Sequence, residues 1–162
     1  MSRAAAEPRV AAAVFAALVL ASFAALIVTQ RLKHTPTAVE RFMLTSRVRP
    51  GAAGPLGEER IAFQLTSADR VTVTVQAASG EQVATLLSGI AVGRYRTLSL
   101  RWNGRRGTAR GYGVIRKADG YTTLVPRIRG PVAPAGEYSI RVYLARQKRS
   151  IPSTRNFKLV AP

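Results

Sequence analysis

The stretch IAFQLTSADRVTVTVQA, residues Ile61–Ala77, decides the fold. Phe63 and Leu65 alternate with smaller or polar residues, and the valines at positions 71, 73 and 75 alternate with threonines. Successive side chains of a strand point to opposite faces, so this period of two predicts two half-buried β-strands.

The same alternation recurs further along the chain. Residues Val83–Leu87 predict another strand, and residues 88–95, SGIAVGRY, predict a loop. Three further alternating sets are Leu98, Leu100 and Trp102; Tyr138, Ile140, Val142 and Leu144; and Phe157 with Leu159. Short strands joined by glycine turns, without an amphipathic helix of useful length after residue 30, predict an antiparallel β-sandwich over residues 58–162.

The only tryptophan lies in the segment LSLRWNGRRG, residues 98–107. Trp102 falls on the same strand face as the two preceding leucines, which predicts a core position. Asn103 and Gly104 tolerate positive φ, so they predict a tight turn, and Arg105 and Arg106 would follow at its rim. The alternative is an exposed Trp102 that serves as a stacking platform beside the arginines.

Residues 10–29 form an uncharged apolar run that follows a short basic tail, residues 1–9. About 20 helical residues rising ~1.5 Å each match the roughly 30 Å hydrocarbon core of a bilayer. The run is longer than the apolar region of a signal peptide, which favours a retained single-pass anchor. A cleaved signal, with Ser22–Ala24 at its cleavage site, is the alternative. Basic residues flank both ends, so charge does not predict the orientation.

Residues 30–57 predict a tether, a possible first strand at Arg41–Val48, and a loop rich in proline and glycine.

The composition restricts the chemistry that the chain can perform. It has no cysteine and a single histidine, His34, which lies in the tether. A Ser-His-Asp set or a metal site of histidine and cysteine ligands is therefore not expected. The carboxylates fall mostly at predicted turns and strand ends, where they are expected to be solvated. The sequence predicts no enzyme activity, no cofactor and no metal.

The formal net charge is +17, from 25 Lys and Arg against 8 Asp and Glu. Such a balance predicts attraction to nucleic acid, anionic lipid or anionic wall polymer. An arginine-rich genome is an equally good explanation of the same composition.

These patterns together resemble the Ig-like domain of the flagellar hook-capping protein (FlgD), a module also found in other exported bacterial proteins. The resemblance covers about residues 58–145. It is carried by the Phe-x-Leu and alternating valine strands, the segment SGEQV at 79–83, the Leu86-Leu87 pair and the Trp-Asn-Gly-Arg turn at 102–105, and a Gly-x-Tyr strand formed by Gly136 and Tyr138. It implies an Ig-like sandwich outside the cytoplasm. The chain departs from the family pattern at Asn103 and Arg106, where the family has acidic residues.

A longer departure is an insertion at about residues 108–134. It predicts a second hairpin, with Val114–Lys117 paired to Tyr121–Val125 across a turn at 118–120. Insertions on rigid scaffolds often carry binding surfaces, and basic residues interleaved with aromatic ones suit polyanions. The alternative is a solvated hairpin whose tyrosines pack on the sandwich. The candidate contact residues are Arg110, Arg116, Lys117, Arg127, Arg129, Tyr112 and Tyr121. The residues predicted to be structural are Phe63, Leu65, Trp102, Asn103, Gly104, Gly136 and Tyr138.

The sequence thus predicts a single-pass protein of the plasma membrane that presents an Ig-like interaction module outside the cytoplasm. Its expected partners are the lipid bilayer, through residues 10–29, and a protein or an anionic wall polymer. Nucleic acid is a less favoured partner. The second interpretation is a basic module that binds polyanions, either wall polymer or anionic lipid outside the cell, or nucleic acid inside it.

Overall fold

The structure is a computed structural model that describes residues 7–33, 38–116 and 122–161. The chain divides into two compact units, residues 1–37 and residues 38–162. In the described residues, the first unit contains one helix and the second contains twelve strands and a short 3-10 helix, Gly54–Leu56.

Helix α1 spans Glu7–Lys33, and within it the segment Val10–Thr29 is long and apolar enough to cross a membrane. All side chains of this segment are exposed. Its two hydroxyl groups bond within the helix: Ser22 Oγ donates to the Leu18 carbonyl at 2.9 Å and Thr29 Oγ1 to the Ala25 carbonyl at 2.7 Å. A segment whose polar groups are satisfied internally suits a hydrocarbon environment.

Two sheets form the second unit. The strands are β1 Val39–Leu44, β2 Arg47–Val48, β3 Glu59–Leu65, β4 Asp69–Ala77, β5 Gln82–Val92, β6 Thr97–Trp102, β7 Gly107–Thr108, β8 Tyr112–Arg116, β9 Thr122–Pro126, β10 Gly136–Leu144, β11 Arg149–Pro152 and β12 Phe157–Leu159. The first sheet has the order β1-β3-β6-β9-β8. The second has the order β2-β12-β10-β4-β5-β7, and β11 also pairs with β10.

The predicted all-β sandwich is confirmed, but its sheets are mixed. Most strand pairs are antiparallel, whereas β6–β9, β12–β2 and β5–β7 are parallel. Each parallel ladder is only two residue pairs long. Parallel neighbours require a crossover connection rather than a tight turn. The inserted segment supplies that connection between β6 and β9, which the period of two does not reveal.

The predicted alternation matches the buried face of both sheets. Along β3, Phe63 and Leu65 are buried, and the odd-numbered valines of β4 are buried as well. These residues belong to a single hydrophobic core to which both sheets contribute. Burial of apolar surface contributes roughly 25 cal/mol per Å². The core is therefore the main source of stability of this unit.

An aromatic cluster joins the two sheets. Trp102 of the first sheet meets Tyr138 and Phe157 of the second edge to face, with ring centroids 5.9 Å apart in both pairs. Tyr138 and Phe157 stack at 6.0 Å. Trp102 is only 1% exposed, and its Nε1 donates to the Arg105 carbonyl at 2.9 Å. The predicted core position of Trp102 is confirmed, and the alternative stacking platform is excluded.

The turn after Trp102 differs in detail from the prediction. Gly104 has φ of 75°, but Asn103 does not have positive φ. Asn103 instead accepts a hydrogen bond at its Oδ1 from the Arg105 N–H at 3.2 Å. A Cβ atom at position 104 would lie 2.5 Å from Cγ of Pro50, so Gly104 is required by space as well as by φ. Gly136 and Tyr138 begin β10, where the Tyr138 hydroxyl donates to the Pro134 carbonyl at 2.6 Å.

The sandwich begins at Ala38 rather than at the predicted boundary of residue 58. The predicted strand Arg41–Val48 is divided, because β1 pairs with β3 in the first sheet and β2 pairs with β12 in the second. The chain therefore passes from one sheet to the other at residues 45–46. Hydrophobic alternation within each short strand does not indicate that change of sheet.

Strand β5 extends to Val92 and includes Ser88–Val92, where the sequence predicts a loop. It pairs with β4 over its length, with Val92 opposite Asp69. The register shifts between Val71 and Val73 of the partner strand, and Gly89 has φ of 63°. This irregularity interrupts the period of two, which explains why the sequence pattern ends too early.

The inserted hairpin is confirmed as β8 paired with β9 in antiparallel register, with Val114 opposite Leu124. It extends the first sheet, because β9 pairs with β6 and the Thr123 and Ser99 hydroxyl groups share a hydrogen bond of 3.0 Å. The predicted turn at residues 118–120 lies outside the described residues.

Candidate functional site

A groove lies where the two ends of the insertion run beside each other. Residues 105–111 lead into β8 and residues 127–132 follow β9. At one end of the groove the Arg106 N–H donates to the Pro131 carbonyl at 2.8 Å. At the other end the Arg127 N–H donates to the Gly111 carbonyl at 2.8 Å, and the Arg110 N–H donates to the Arg127 carbonyl at 3.2 Å. Backbone hydrogen bonds therefore fix both ends.

The centre of the first segment pairs elsewhere. Strand β7, Gly107–Thr108, runs parallel to Ala84–Thr85 of β5, and the Ala109 N–H donates to the Thr85 carbonyl at 3.0 Å. This pairing draws residues 107–109 toward the second sheet. The result is an open groove of about 630 Å³ between that segment and residues 128–130.

The groove has an apolar floor and a basic lining. Ile128 is only 5% exposed and lies at the floor, while Arg106, Arg110 and Arg129 line the groove. Gly130 permits the close approach of the two segments, since a Cβ atom there would overlap the Arg106 carbonyl oxygen. A guanidinium group presents five N–H donors in a planar fork, so this lining suits carboxylate or phosphate groups.

The three arginines differ in their charge partners. Arg106 forms an ion pair with Glu81, and the side chains are 38% and 58% exposed. Arg110 and Arg129 are exposed, and neither forms an ion pair with any residue that the structure describes. Two positive charges of the groove are thus uncompensated locally.

The Arg106–Glu81 pair also acts on the Tyr138 hydroxyl. Burial raises the pKa of Tyr138. The charge of Arg106 lowers that pKa, and the charge of Glu81 raises it.

The structure separates the predicted contact residues. Arg110 and Arg129 line the groove, and Arg127 is exposed beside it and contributes its backbone to one end. Arg116 is exposed at the end of β8, whereas Tyr112 is half-buried and packs against the core. Lys117 and Tyr121 lie outside the described residues. The sequence predicts Arg106 only at the rim of the turn. It also lines the groove, because its N–H bonds to the Pro131 carbonyl.

Glu59 is a buried carboxylate that contradicts the expectation of solvated acidic residues. It is 0% exposed, and its Oε1 accepts a hydrogen bond of 2.7 Å from the Thr45 N–H, where the chain changes sheets. Its Oε2 has no partner within the described residues. Burial raises the pKa of Glu59 from 4.5 to about 8, against a smaller opposing effect of the Thr45 hydrogen bond. Residues 59, 61, 63 and 65 alternate along β3 on the buried face, so the alternation itself indicated that Glu59 points inward.

Asp69 is buried in the same way at the start of β4. Its Oδ1 accepts hydrogen bonds from the backbone N–H groups of Arg70, at 2.6 Å, and of Arg146, at 2.8 Å. It therefore ties the turn that follows β10 to the start of β4. Both inward carboxylates contact backbone amides, which indicates a structural role for each.

Within residues 7–33, 38–116 and 122–161, the structure brings together no group of three or more His, Cys, Asp or Glu side chains suited to hold a metal ion. The arginine-lined groove is the candidate site with the clearest chemistry. No protein-family model matches the chain, and no curated protein shows significant similarity to it.

Proposed function

We propose that the chain is a single-pass protein of the plasma membrane whose β-sandwich acts outside the cytoplasm as a non-catalytic interaction module. The observation that carries the proposal is the joining, in one chain, of an apolar helix of membrane-spanning length to a β-sandwich with its own core. The extracytoplasmic side rests on the resemblance to the FlgD-like Ig-like domain, and a protein or an anionic wall polymer is the proposed partner.

The anchor is tested by fractionation. If residues 10–29 remain in the membrane, the protein resists carbonate extraction and mass spectrometry recovers peptides from its N-terminal segment. The matched control is a variant with two leucines of the span, Leu18 and Leu20, replaced by arginine, which should release the protein because a charge at the centre of the bilayer is costly. Recovery of a soluble form that begins near Ala25 would contradict retention of the anchor.

Sidedness needs a separate measurement. A tag placed after Pro162 should be removed by protease added to intact cells if the sandwich lies outside. Protection of the tag in intact cells, followed by cleavage after lysis, would place the sandwich inside and make nucleic acid an accessible partner.

The groove supports a second function, the binding of polyanions. Its arginine lining and the net charge of +17 favour anionic wall polymer or anionic lipid. Such binding should weaken steeply between low and physiological salt, because counterion release and screening govern these contacts. Salt-independent binding would contradict this second function and would favour a partner recognised through apolar contacts.

A further inference from the structure

We propose that the groove is a binding site for a phosphomonoester group and that Glu81 competes with this ligand for Arg106. The proposal deepens the second function above and rests on it. The proposed ligand binds at the residues of the groove, whereas attraction by the net charge of the chain would be spread over the whole surface.

The cationic groups at the groove match this ligand in number and charge. Arg110 and Arg129 each contribute a positive charge without an ion pair in the described structure, and Arg106 is a third donor. A phosphomonoester carries about −1.5 to −2 charges at pH 7 and three strong acceptor oxygens. A carboxylate carries a single charge and two oxygens, so it would leave part of this lining unpaired. Arginine also binds phosphate through two parallel hydrogen bonds.

The backbone of the groove is preformed, while the side chains of Arg110 and Arg129 are exposed. Backbone hydrogen bonds of 2.8 Å close it at Arg106–Pro131 and at Arg127–Gly111, so a ligand would not need to order the surrounding chain. Its volume of about 630 Å³ accommodates a phosphate together with part of the organic group that carries it. Ligand sites typically have about 300–1,000 Å³. Preorganisation lowers the entropic cost of binding.

Glu81 acts as an internal competitor. It belongs to the turn between β4 and β5 and pairs with Arg106 at the edge of the groove. Both side chains are substantially exposed, so the ion pair contributes little stability and can exchange with an entering anion. A phosphate that recruits Arg106 must displace this carboxylate. Removal of the Glu81 charge should therefore tighten binding.

The test uses the full chain in micelles of a neutral detergent at low salt. Glycerol 3-phosphate is titrated by calorimetry, with acetate as the carboxylate probe. We expect saturable binding of glycerol 3-phosphate at one site and weaker binding of acetate. The absence of heat or of saturation with glycerol 3-phosphate, or equal affinity for acetate, would overturn the proposal.

Matched variants separate the groove from the general charge. Arg110→Gln with Arg129→Gln should weaken binding by about tenfold for each arginine, the effect of one lost charge-assisted contact. Arg60→Gln with Arg141→Gln removes the same charge from exposed strand positions outside the groove and should change binding less than about threefold. Equal losses in the two double variants would overturn the site. Thermal unfolding checks that all variants fold alike.

A second pair of variants tests whether Glu81 competes with the phosphate for Arg106. Glu81→Gln should tighten binding several-fold, while Glu40→Gln, which makes the same charge change on β1, should have little effect. If the two variants act equally, or if Glu81→Gln weakens binding, the competitive role of Glu81 is wrong. The result in micelles does not depend on the side of a membrane that the sandwich faces. Polyanion binding by the general charge would appear as equal losses in the two double arginine variants, so failure of the groove site is distinguishable from failure of the second function.

A final experiment distinguishes a lipid headgroup from a soluble or polymer-borne phosphate as the ligand. The full chain is placed in nanodiscs of phosphatidylcholine alone or with phosphatidic acid, whose headgroup is a phosphomonoester. Loss of glycerol 3-phosphate binding only in discs that contain phosphatidic acid supports a lipid headgroup in the groove. Equal binding in both discs supports a soluble or polymer-borne phosphate. Loss in both discs would overturn the site.

Discussion

The aromatic cluster and the basic groove lie a few residues apart on the same segment, yet they are built in opposite ways. At Trp102, packing against Tyr138 and Phe157 fixes the side chain, and the backbone follows the strand. At Arg106–Arg110, hydrogen bonds to residues 127 and 131 fix the backbone, and the side chains remain exposed. The first arrangement stabilises the sandwich, whereas the second leaves charged groups exposed along the groove that we propose binds a ligand. Substitutions should therefore affect folding in one region and binding in the other.

The largest effect is expected at the aromatic cluster. Trp102→Ala should lower the free energy of unfolding by about 3 to 5 kcal/mol, as other large-to-small changes in cores do. Arg105→Ala should cost little. The Trp102 Nε1 hydrogen bond is accepted by the backbone carbonyl of residue 105, and the side-chain hydrogen bond that is lost, from Arg105 Nη1 to the Gly130 carbonyl at 3.0 Å, is exposed. Denaturant unfolding measures both. Similar small losses for the two variants would mean that the cluster does not support the core.

The second effect concerns Glu59 and depends on pH. The folded carboxyl keeps its proton up to about pH 8, but in the unfolded chain it loses the proton near its ordinary pKa of 4.5. Between pH 4.5 and about pH 8 the folded state therefore binds one proton more than the unfolded state. The free energy of unfolding falls as pH rises through this range, by up to ~1.4 kcal/mol per pH unit. The fall between pH 5 and 8 is on the order of a few kcal/mol.

Glu59→Gln should remove this pH dependence. The matched control is Glu58→Gln, since Glu58 is partly exposed and pairs with Arg101 at 3.3 Å. Unfolding curves recorded at pH 5, 6.5 and 8 measure the slope for each protein. A slope that persists in Glu59→Gln would show that the buried carboxyl does not carry the extra proton.

The third effect is at the backbone of the groove. Gly130→Ala should cost about 1 to 3 kcal/mol, because the added methyl group overlaps the Arg106 carbonyl and must push the two segments apart. It should also weaken ligand binding. Gly111→Ala is the control, since a Cβ there meets nothing within 4 Å. Thermal unfolding and the phosphate titration report the two consequences, and equal behaviour of the variants would contradict a close-packed groove wall.

The smallest effect is at the turn between the two regions. Asn103→Val removes the side-chain acceptor of the Arg105 N–H and should cost about 0.5 to 1.5 kcal/mol. Asn103→Asp keeps the acceptor and should cost less. If the two substitutions destabilise the protein equally, the side-chain hydrogen bond does not stabilise the turn.

The sequence predicted the packed region well and the groove incompletely. Alternation identified Phe63, Leu65 and Trp102 as core residues because each strand buries one face. It gave no indication that β7 pairs with β5, or that residue 106 bonds to residue 131, since both pairings join segments distant in the chain. Arg110 and Arg129 were named for their charge, but their convergence with Arg106 depends on those pairings. Glu59 was missed although it continues the inward face of β3, because a carboxylate is rarely buried.

The most direct test of the groove follows individual arginine side chains. Nitrogen-15 NMR of the guanidinium Nε groups can be recorded on the full chain in neutral micelles during titration with glycerol 3-phosphate. We expect Arg106, Arg110 and Arg129 to shift together and to saturate at the same ligand concentration, while Arg60 and Arg141 change little. Shifts that are distributed over all exposed arginines and do not saturate would contradict a preformed phosphate site.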